Sequence, residues 1–228
     1  MTAAGPAVSQ AIAPAGQPVD APVAALLLHG YGSNEHDLTA LASTLPGALP
    51  WYSLRAPLAT PNGGAAWFPI STPGSPDPAP VAAATDAIWE WVDAQLGAGT
   101  RIVPIGFSQG GLMATQLLRT RPERVAATAV LAGFVQAAPQ PADDLLVSTR
   151  PPAFWGRGDA DGVIAGPAVD RTALWLPAHT TLEQHVYPGL GHGIAAQEAD
   201  DLRRFLSTVP PGAELTATTP PAPSPAAP

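Results

Sequence analysis

The chain has 228 residues and a net charge of -8, and hydrophobic residues make up 46% of it while charged residues make up 12%. This length fits one large domain with a substantial buried core. All ten basic residues are arginine, in no cluster longer than Arg203-Arg204, so the sequence lacks the basic stripe of a nucleic-acid-binding protein. The absence of cysteine excludes disulfides, thiolate metal ligands and a cysteine nucleophile.

Both ends of the chain are low in sequence complexity. We expect residues 1–20 and 210–228 to be disordered, because they are rich in alanine and proline and offer few groups that can pack. Residues 21–209 would then form the single domain. The first twenty residues have no basic start and no continuous apolar stretch, and the run "VAALLLHG" is too short to span a bilayer. We therefore expect a soluble, cytoplasmic protein without stable membrane insertion.

Strand-like apolar runs alternate with helical patterns between the two ends. The predicted strands cover residues 23–29, 51–57, 101–107, 124–134, 151–157 and 181–188. The predicted helices cover residues 34–45, 78–96, 109–120 and 193–207, with Asn34 as the N-cap of the first. This alternation is typical of a mostly parallel sheet covered by helices on both faces, which binds its ligands beyond the carboxyl ends of the strands.

The segment "PIGFSQGG" contains the candidate nucleophile. Ser108 stands between Gly106 and Gly110, immediately after a predicted strand and before a predicted helix. A sharp turn there exposes the hydroxyl oxygen, and the glycines admit backbone that side chains would obstruct. The bare pattern is weak in a chain with 22 glycines, but its context favours a catalytic role. The N–H groups of Gln109 and of Tyr31, in "LLLHGYG", are the natural donors to an oxyanion.

A serine nucleophile needs a base, and the candidate is His192. It lies in the glycine-rich turn "YPGLGHGI", between the last predicted strand and the last predicted helix. The remaining histidines fit structural or solvent-facing positions and are His29, His36, His179 and His185. His36 has acidic neighbours on both sides, but nothing completes a ligand set of recognisable spacing, so we expect no metal.

The carboxylate that orients the histidine should lie between the serine and the histidine in the chain. Five aspartates meet this condition: Asp143, Asp144, Asp159, Asp161 and Asp170. Asp159 and Asp161 lie in "FWGRGDADGVI", directly after a predicted strand, where an acid is required. Asp143 and Asp144 belong to a proline-rich connection in which we expect them to be solvated. Spacing leaves Asp159 and Asp161 as equal alternatives.

Five segments together resemble the phospholipase/carboxylesterase family of serine α/β-hydrolases, which includes acyl-protein thioesterases and small bacterial carboxylesterases. These segments are "LLLHGYGSNEHDL", "RAPLATPNGGAAWF", "IGFSQGG", "GRGDADGVI" and "YPGLGHGI", in the family's order over residues 23–206. The resemblance implies that Ser108 is the nucleophile, His192 the base and Asp161 the acid. It also assigns the oxyanion donors to Tyr31 and Gln109. Gly162 stands where many relatives have proline.

The resemblance implies an α/β-hydrolase fold and hydrolysis of carboxylic esters through an acyl-enzyme, without a cofactor. We expect a minimal lid or none, because the connection 133–152 is short, and we expect small esters with short- to medium-chain acyl groups. Trp67, Phe68 and Phe134 are candidates for an acyl pocket, although Trp67 and Phe68 are equally suited to cover a small loop core. Alternative activities are those of a lysophospholipase, an acyl-protein thioesterase, an acyltransferase and a non-catalytic binding module. We expect a monomer or a homodimer.

Overall fold

A computed structural model of the chain describes residues 7–8, 10–18, 20–43, 45–46 and 49–209. In chain order its strands are β1 (Ala11–Ile12), β2 (Val23–Leu28), β3 (Trp51–Leu54), β4 (Leu58–Ala59), β5 (Ala65–Ala66), β6 (Arg101–Phe107), β7 (Thr128–Leu131), β8 (Pro152–Gly158) and β9 (Thr181–Tyr187). Seven of these form one sheet in the order β1-β3-β2-β6-β7-β8-β9, in which all pairs except β1–β3 are parallel. β4 and β5 form a separate antiparallel ribbon.

Helices cover both faces of this sheet. They are α1 (Thr39–Ala42), α2 (Pro78–Gln95), α3 (Gln109–Thr120), α4 (Asp143–Thr149), α5 (Gly166–His179) and α6 (Ala196–Ser207), with a 3-10 turn at Pro122–Arg124. Alternate residues of β2 belong to two different cores: Leu26 packs in the cluster that includes α2 and α3, and Leu27 in the cluster that includes α1 and α6. This explains the continuous apolar run of β2 and confirms the predicted α/β-hydrolase architecture. None of the described helices has the length and hydrophobicity needed to cross a bilayer.

The prediction of a helix over residues 34–45 is wrong in extent. The Asn34 side chain accepts a hydrogen bond from the His36 N–H at 2.9 Å, and the Asn34 carbonyl accepts one from the Asp37 N–H. This backbone bond and the one from the Thr39 N–H to the His36 carbonyl each span three residues, as in turns, whereas a four-residue bond runs from the Ala42 N–H to the Leu38 carbonyl. The regular helix is therefore only the four-residue α1.

The connection 133–152 contains a helix that the sequence pattern did not indicate. α4 occupies seven of its residues. Asp143, expected to be solvated, instead binds the buried Arg119 through two hydrogen bonds of 2.8 and 2.7 Å. This ion pair fixes the connection against α3. This seven-residue helix is the connection's single regular element, which agrees with the expectation of a minimal lid.

Part of the N-terminal segment departs from the expectation of disorder. β1 pairs with β3 in antiparallel register, and the Gln17 side chain exchanges two hydrogen bonds with the backbone of Trp51. The edge of β3 offers unpaired backbone groups, and a two-residue strand is enough to bond some of them. Such a short strand has no alternation of apolar and polar residues, so the sequence pattern could not predict it. The predicted disorder of residues 210–228 concerns a part of the chain outside the described residues.

Candidate active site

Ser108 lies at the turn between β6 and α3, at the carboxyl edge of the sheet. Its φ angle is 55°, which is unusual for a residue other than glycine and marks a strained backbone. A Cβ atom at Gly106 would overlap the Gly110 carbonyl, and one at Gly110 would overlap the Leu28 carbonyl. The two glycines therefore allow α3 to begin directly against the sheet, which holds the serine in this sharp turn.

A continuous chain of hydrogen bonds joins Ser108, His192 and Asp161. The His192 Nε2 atom lies 2.9 Å from Ser108 Oγ, and its Nδ1 atom lies 2.8 Å from Asp161 Oδ2. The carboxylate can only accept, so Nδ1 carries the proton and Nε2 is free to accept one from the serine. The ring of Phe107 packs against His192 with 4.9 Å between centroids. The arrangement can remove a proton from Ser108 as its oxygen attacks an electrophile.

Local hydrogen bonds keep Asp161 ionised and oriented. Its Oδ1 atom accepts from the N–H groups of Val163 at 2.8 Å and Ile164 at 3.2 Å. Burial alone would raise the pKa of Asp161, but the hydrogen bonds from His192 and from these two N–H groups outweigh burial and hold the pKa below its ordinary value. Of the two aspartates that spacing left open, Asp159 instead accepts from the Gly189 N–H at 2.6 Å and stabilises a turn.

The predicted oxyanion donors, Tyr31 and Gln109, border the same cavity as Ser108. Within the described residues, neither of their backbone N–H groups has a hydrogen-bond partner. Gln109 is buried, and its side chain accepts from the Trp67 N–H at 2.8 Å and donates to the Phe68 carbonyl at 2.7 Å. The side chain is thus occupied, whereas the main-chain N–H stays available to a ligand.

His29 supports the loop that carries Tyr31. Its Nε2 atom accepts from the Ala56 N–H at 3.1 Å, so its Nδ1–H donates to the Gly30 carbonyl at 2.7 Å. Burial lowers the pKa of His29, in keeping with this neutral ring. The Trp67 indole N–H donates to the His29 carbonyl at 2.9 Å. His29 therefore has the structural role that the sequence suggested.

A cavity of about 210 Å³ opens beside Ser108. It is lined by Tyr31, Phe68, Ile70, Thr72, Pro73, Gly74, Pro76, Ser108, Gln109, Phe134, Val163 and Ile164. Of the three residues predicted for an acyl pocket, Phe68 and Phe134 line this cavity. Trp67 does not line the cavity, because its ring is buried in the core beneath it.

Several lining residues went unrecognised in the sequence. Val163 and Ile164 stand in the same segment as Asp161, so their position beside the candidate acid is the one signal that indicated them. Residues 70–76 form an irregular loop with no hydrophobic period, and nothing in the sequence singles them out. Among the described residues, no group of three or more histidine, aspartate or glutamate side chains is arranged to hold a metal ion. Glu35, next to His36, instead pairs with Arg55 at 2.9 Å.

The chain has recognisable relatives. The sequence profile described as phospholipase/carboxylesterase matches residues 9–210. The carboxylesterase SOBER1 of Arabidopsis thaliana is 28% identical over 205 residues, which cover 79% of this chain and 88% of that protein. Acyl-protein thioesterase 1 of Mycosarcoma maydis is 33% identical over 122 residues, which cover 49% of each. The crystal structure of the Bacillus cereus carboxylesterase has a TM-score of 0.73 at 20% identity, over 88% of this chain and 94% of that one, and shares the fold.

Proposed function

The chain belongs to the phospholipase/carboxylesterase family, and we propose that it hydrolyses carboxylic esters with short- to medium-chain acyl groups through an acyl-enzyme. The hydrogen-bonded chain of Ser108, His192 and Asp161, at 2.9 and 2.8 Å, is the observation that carries the proposal. These distances are those that a nucleophile, its base and the base's orienting acid require.

Ser108 Oγ attacks the ester carbonyl while His192 Nε2 takes the hydroxyl proton. The carbonyl oxygen becomes an oxyanion, to which the N–H groups of Tyr31 and Gln109 donate, and each such donor contributes about 3–4 kcal/mol in comparable sites. The tetrahedral intermediate collapses, the C–O bond to the alcohol breaks, and the alcohol leaves with the proton from His192. Water then loses a proton to His192 and attacks the acyl-enzyme, which releases the acid and returns the proton to Ser108.

The size and lining of the cavity favour a small, uncharged acyl group as its ligand. Its volume of about 210 Å³ lies below the roughly 300–1,000 Å³ of pockets that hold drug-sized ligands. No charged side chain is among the described residues that line it. A short or medium apolar chain fits such a cavity, because burial of each methylene contributes about 0.8 kcal/mol. Binding such a chain does not remove the hydrating water from a charged side chain of the lining.

Intact-mass analysis after treatment with a fluorophosphonate tests the proposal directly. We expect one adduct on the wild-type protein, none on Ser108→Ala, and an unchanged adduct on Ser148→Ala, whose serine is exposed on α4 and does not line the cavity. The Ser108→Ala substitution should also reduce kcat on 4-nitrophenyl butyrate by about 10⁶-fold. A folded wild-type protein that forms no adduct would contradict the proposal and favour the binding-module alternative.

The remaining alternatives differ in substrate and are separated by product analysis. Parallel assays with acyl-thioesters, lysophospholipids and an added alcohol acceptor distinguish a thioesterase, a lysophospholipase and an acyltransferase from an esterase. The cytoplasmic location and the monomeric or homodimeric state stay predictions. Cell fractionation and light scattering test them.

A further inference from the structure

One irregular segment forms the outer wall of the cavity. We define this wall segment as residues 68–76, between the ribbon strand β5 and the start of α2. It supplies half of the residues that line the cavity: Phe68, Ile70, Thr72, Pro73, Gly74 and Pro76. Most of its residues are exposed on their other side. The position of this segment therefore sets how far the cavity extends away from Ser108.

Side chains, rather than backbone pairing, hold the wall segment in place. In the described part of the chain, its backbone makes no hydrogen bond to the backbone of any other segment, and Ser75 to Thr72 is an internal bond. Three of its carbonyls accept from side chains elsewhere. The bonds are Gln109 Nε2 to Phe68 O at 2.7 Å, Arg171 Nη2 to Gly74 O at 2.7 Å and Gln136 Nε2 to Pro76 O at 3.1 Å. A segment with so few fixed points opens at low free-energy cost when one of them is removed.

Arg171 and Gln136 both link the wall segment to the loop that carries Phe134, and Arg171 does so with two donors of one guanidinium. While its Nη2 donates to Gly74, its Nε donates to the Val135 carbonyl at 2.8 Å. Val135 follows Phe134, which lines the cavity. One planar guanidinium therefore fixes the separation between the wall segment and the Phe134 loop, and its fork geometry makes that separation rigid.

Gly74 lies directly against the beginning of α5. Its φ angle is 72°, and a Cβ atom there would lie 2.9 Å from the Cβ atoms of Ala165 and Ala168. The wall segment is thus drawn against α5 as closely as the backbone allows. Arg171, on the same helix, holds it at this distance.

We propose that Arg171 determines the acyl-chain length that the enzyme accepts, by holding the wall segment at Gly74 and so closing the far end of the cavity. This inference rests on the proposed ester hydrolysis. Arg171 does not line the cavity and is a positioning residue. Without its two donors, the exposed wall segment can move outward and exchange the lost bond at Gly74 for water, and the enlarged cavity admits longer acyl chains.

The test compares Arg171→Met with Arg150→Met. Arg150 also donates to backbone carbonyls, those of Pro177 at 2.7 Å and Thr180 at 3.1 Å, but it does not line the cavity or bind the wall segment. We expect the ratio of kcat/KM for 4-nitrophenyl dodecanoate to that for the butyrate to rise about tenfold or more in Arg171→Met, a change of the size that one or two methylenes produce. The ratio should stay within about twofold of wild type in Arg150→Met. Equal ratios in the two variants would overturn the inference.

A second variant reaches the same segment by a different physical route. Gly74→Ala pushes the wall segment away from α5 by steric overlap, so it should shift the ratio in the same direction as Arg171→Met and carries the test if Arg171→Met does not fold. Gly63→Ala is the matched control, because Gly63 has a φ angle of 81° with no atom near a Cβ. An unchanged ratio in folded Gly74→Ala would contradict the proposal.

Proteolysis gives a readout that does not depend on activity. Proteinase K should cleave within residues 69–75 faster in Arg171→Met than in the wild type or in Arg150→Met. Faster cleavage with an unchanged chain-length ratio would refute the selectivity role while ester hydrolysis stood. Absence of both hydrolysis and the fluorophosphonate adduct in the wild type would instead refute the proposed function, and the selectivity role with it.

Discussion

At the scale of single residues, the hydrogen bonds around Asp161 predict the effect on catalysis of replacing its carboxylate with the amide of asparagine. In Asp161→Asn, the N–H groups of Val163 and Ile164 still require an acceptor, so the amide oxygen faces them and the NH₂ group faces His192. His192 Nδ1 must then accept, which moves the ring proton to Nε2, beside Ser108. A base that already carries a proton there cannot take another, and kcat should fall by roughly 10³- to 10⁴-fold. Steady-state kinetics on 4-nitrophenyl butyrate measure this.

Asp159→Asn is the control for that substitution. Asp159 is two residues away, and its side chain accepts from the Gly189 N–H, a bond that the amide oxygen of asparagine can keep. We expect kcat within about threefold of wild type, in line with most surface substitutions. A comparable loss in both variants would mean that the whole loop, rather than the tautomer of His192, is what Asp161 controls.

The sequence predicted that Ser108, Asp161 and His192 would come together because its motifs constrain backbone as well as side chains. Ser108 needs glycines on both sides, and those glycines are visible in the letters of the chain. Between Asp159 and Asp161, spacing alone could not decide, because both follow the same strand. The difference between them is made by hydrogen bonds to residues 163, 164 and 189, which only the folded loop brings together.

At the scale of an element, α6 contains a buried glutamate whose ionisation should make the stability of the protein depend on pH. The Glu198 side chain is fully buried. Among the described residues, its Oε1 atom has no hydrogen-bond partner and its Oε2 atom accepts a 3.4 Å bond from the Ala195 N–H. Burial raises the pKa of Glu198 from 4.5 to about 7. The folded state therefore favours the protonated acid, while the unfolded chain releases the proton near pH 4.5. This penalty on folding is absent below pH 4.5, grows as the pH rises and is complete above about pH 7.

Glu198→Gln should remove that penalty, because glutamine is neutral at every pH. A pKa change from 4.5 to about 7 corresponds to about 3 kcal/mol, so the free energy of unfolding at pH 8 should rise by up to this amount and Tm by up to roughly 6–12 °C. The gain should vanish near pH 4. Calorimetry at the two pH values measures both, with Glu90→Gln on the exposed face of α2 as the control. A gain that is the same at pH 4 and pH 8 would show that ionisation of Glu198 is not its cause.

Element positions were predictable wherever a hydrophobic period was present. The bounds of β6 and α3 agree with the sequence pattern, because both are buried, the pattern changes from strand to helix at Ser108, and Arg121-Pro122 follows the helix. The helix expected at residues 34–45 is shorter because the backbone bonds of residues 34–39 span three residues, as in turns, and not the four of an α-helix. β1 was missed because two residues are too short to show a period.

At the scale of the whole molecule, the position of the wall segment depends on contacts between residues far apart in the chain, which a local sequence pattern does not indicate. Arg171 and Gly74 are 97 residues apart in the chain and meet through one hydrogen bond. The sequence predicted the strands and helices that flank Ser108 and His192, but neither the helix α5 that carries Arg171 nor the loop that closes the cavity. Loops without backbone pairing take their position from distant side chains, and this explains why chain-length preference was less predictable than reaction class.

The charge of the molecule predicts discrimination between neutral and anionic esters. The chain carries a net charge of -8 and no lysine, and the described residues that line the cavity include no cation. A carboxylate on the acyl chain would be repelled during approach and would lose its water in the cavity without a partner. We expect kcat/KM for 4-nitrophenyl heptanoate to exceed that for the 4-nitrophenyl monoester of adipic acid by about 100-fold or more, equivalent to about 2.7 kcal/mol.

Salt separates the two causes of this discrimination. The Debye length falls from about 30 Å at 0.01 M to about 3 Å at 1 M, so salt should raise kcat/KM for the anionic ester several-fold and leave that for the neutral ester within about twofold. Desolvation in the cavity is screened little, so most of the preference should survive at 1 M. Equal kcat/KM values for the two esters at 0.01 M would contradict the prediction. A preference that disappears entirely at 1 M would assign it to the net charge of the molecule and not to the apolar lining of its cavity.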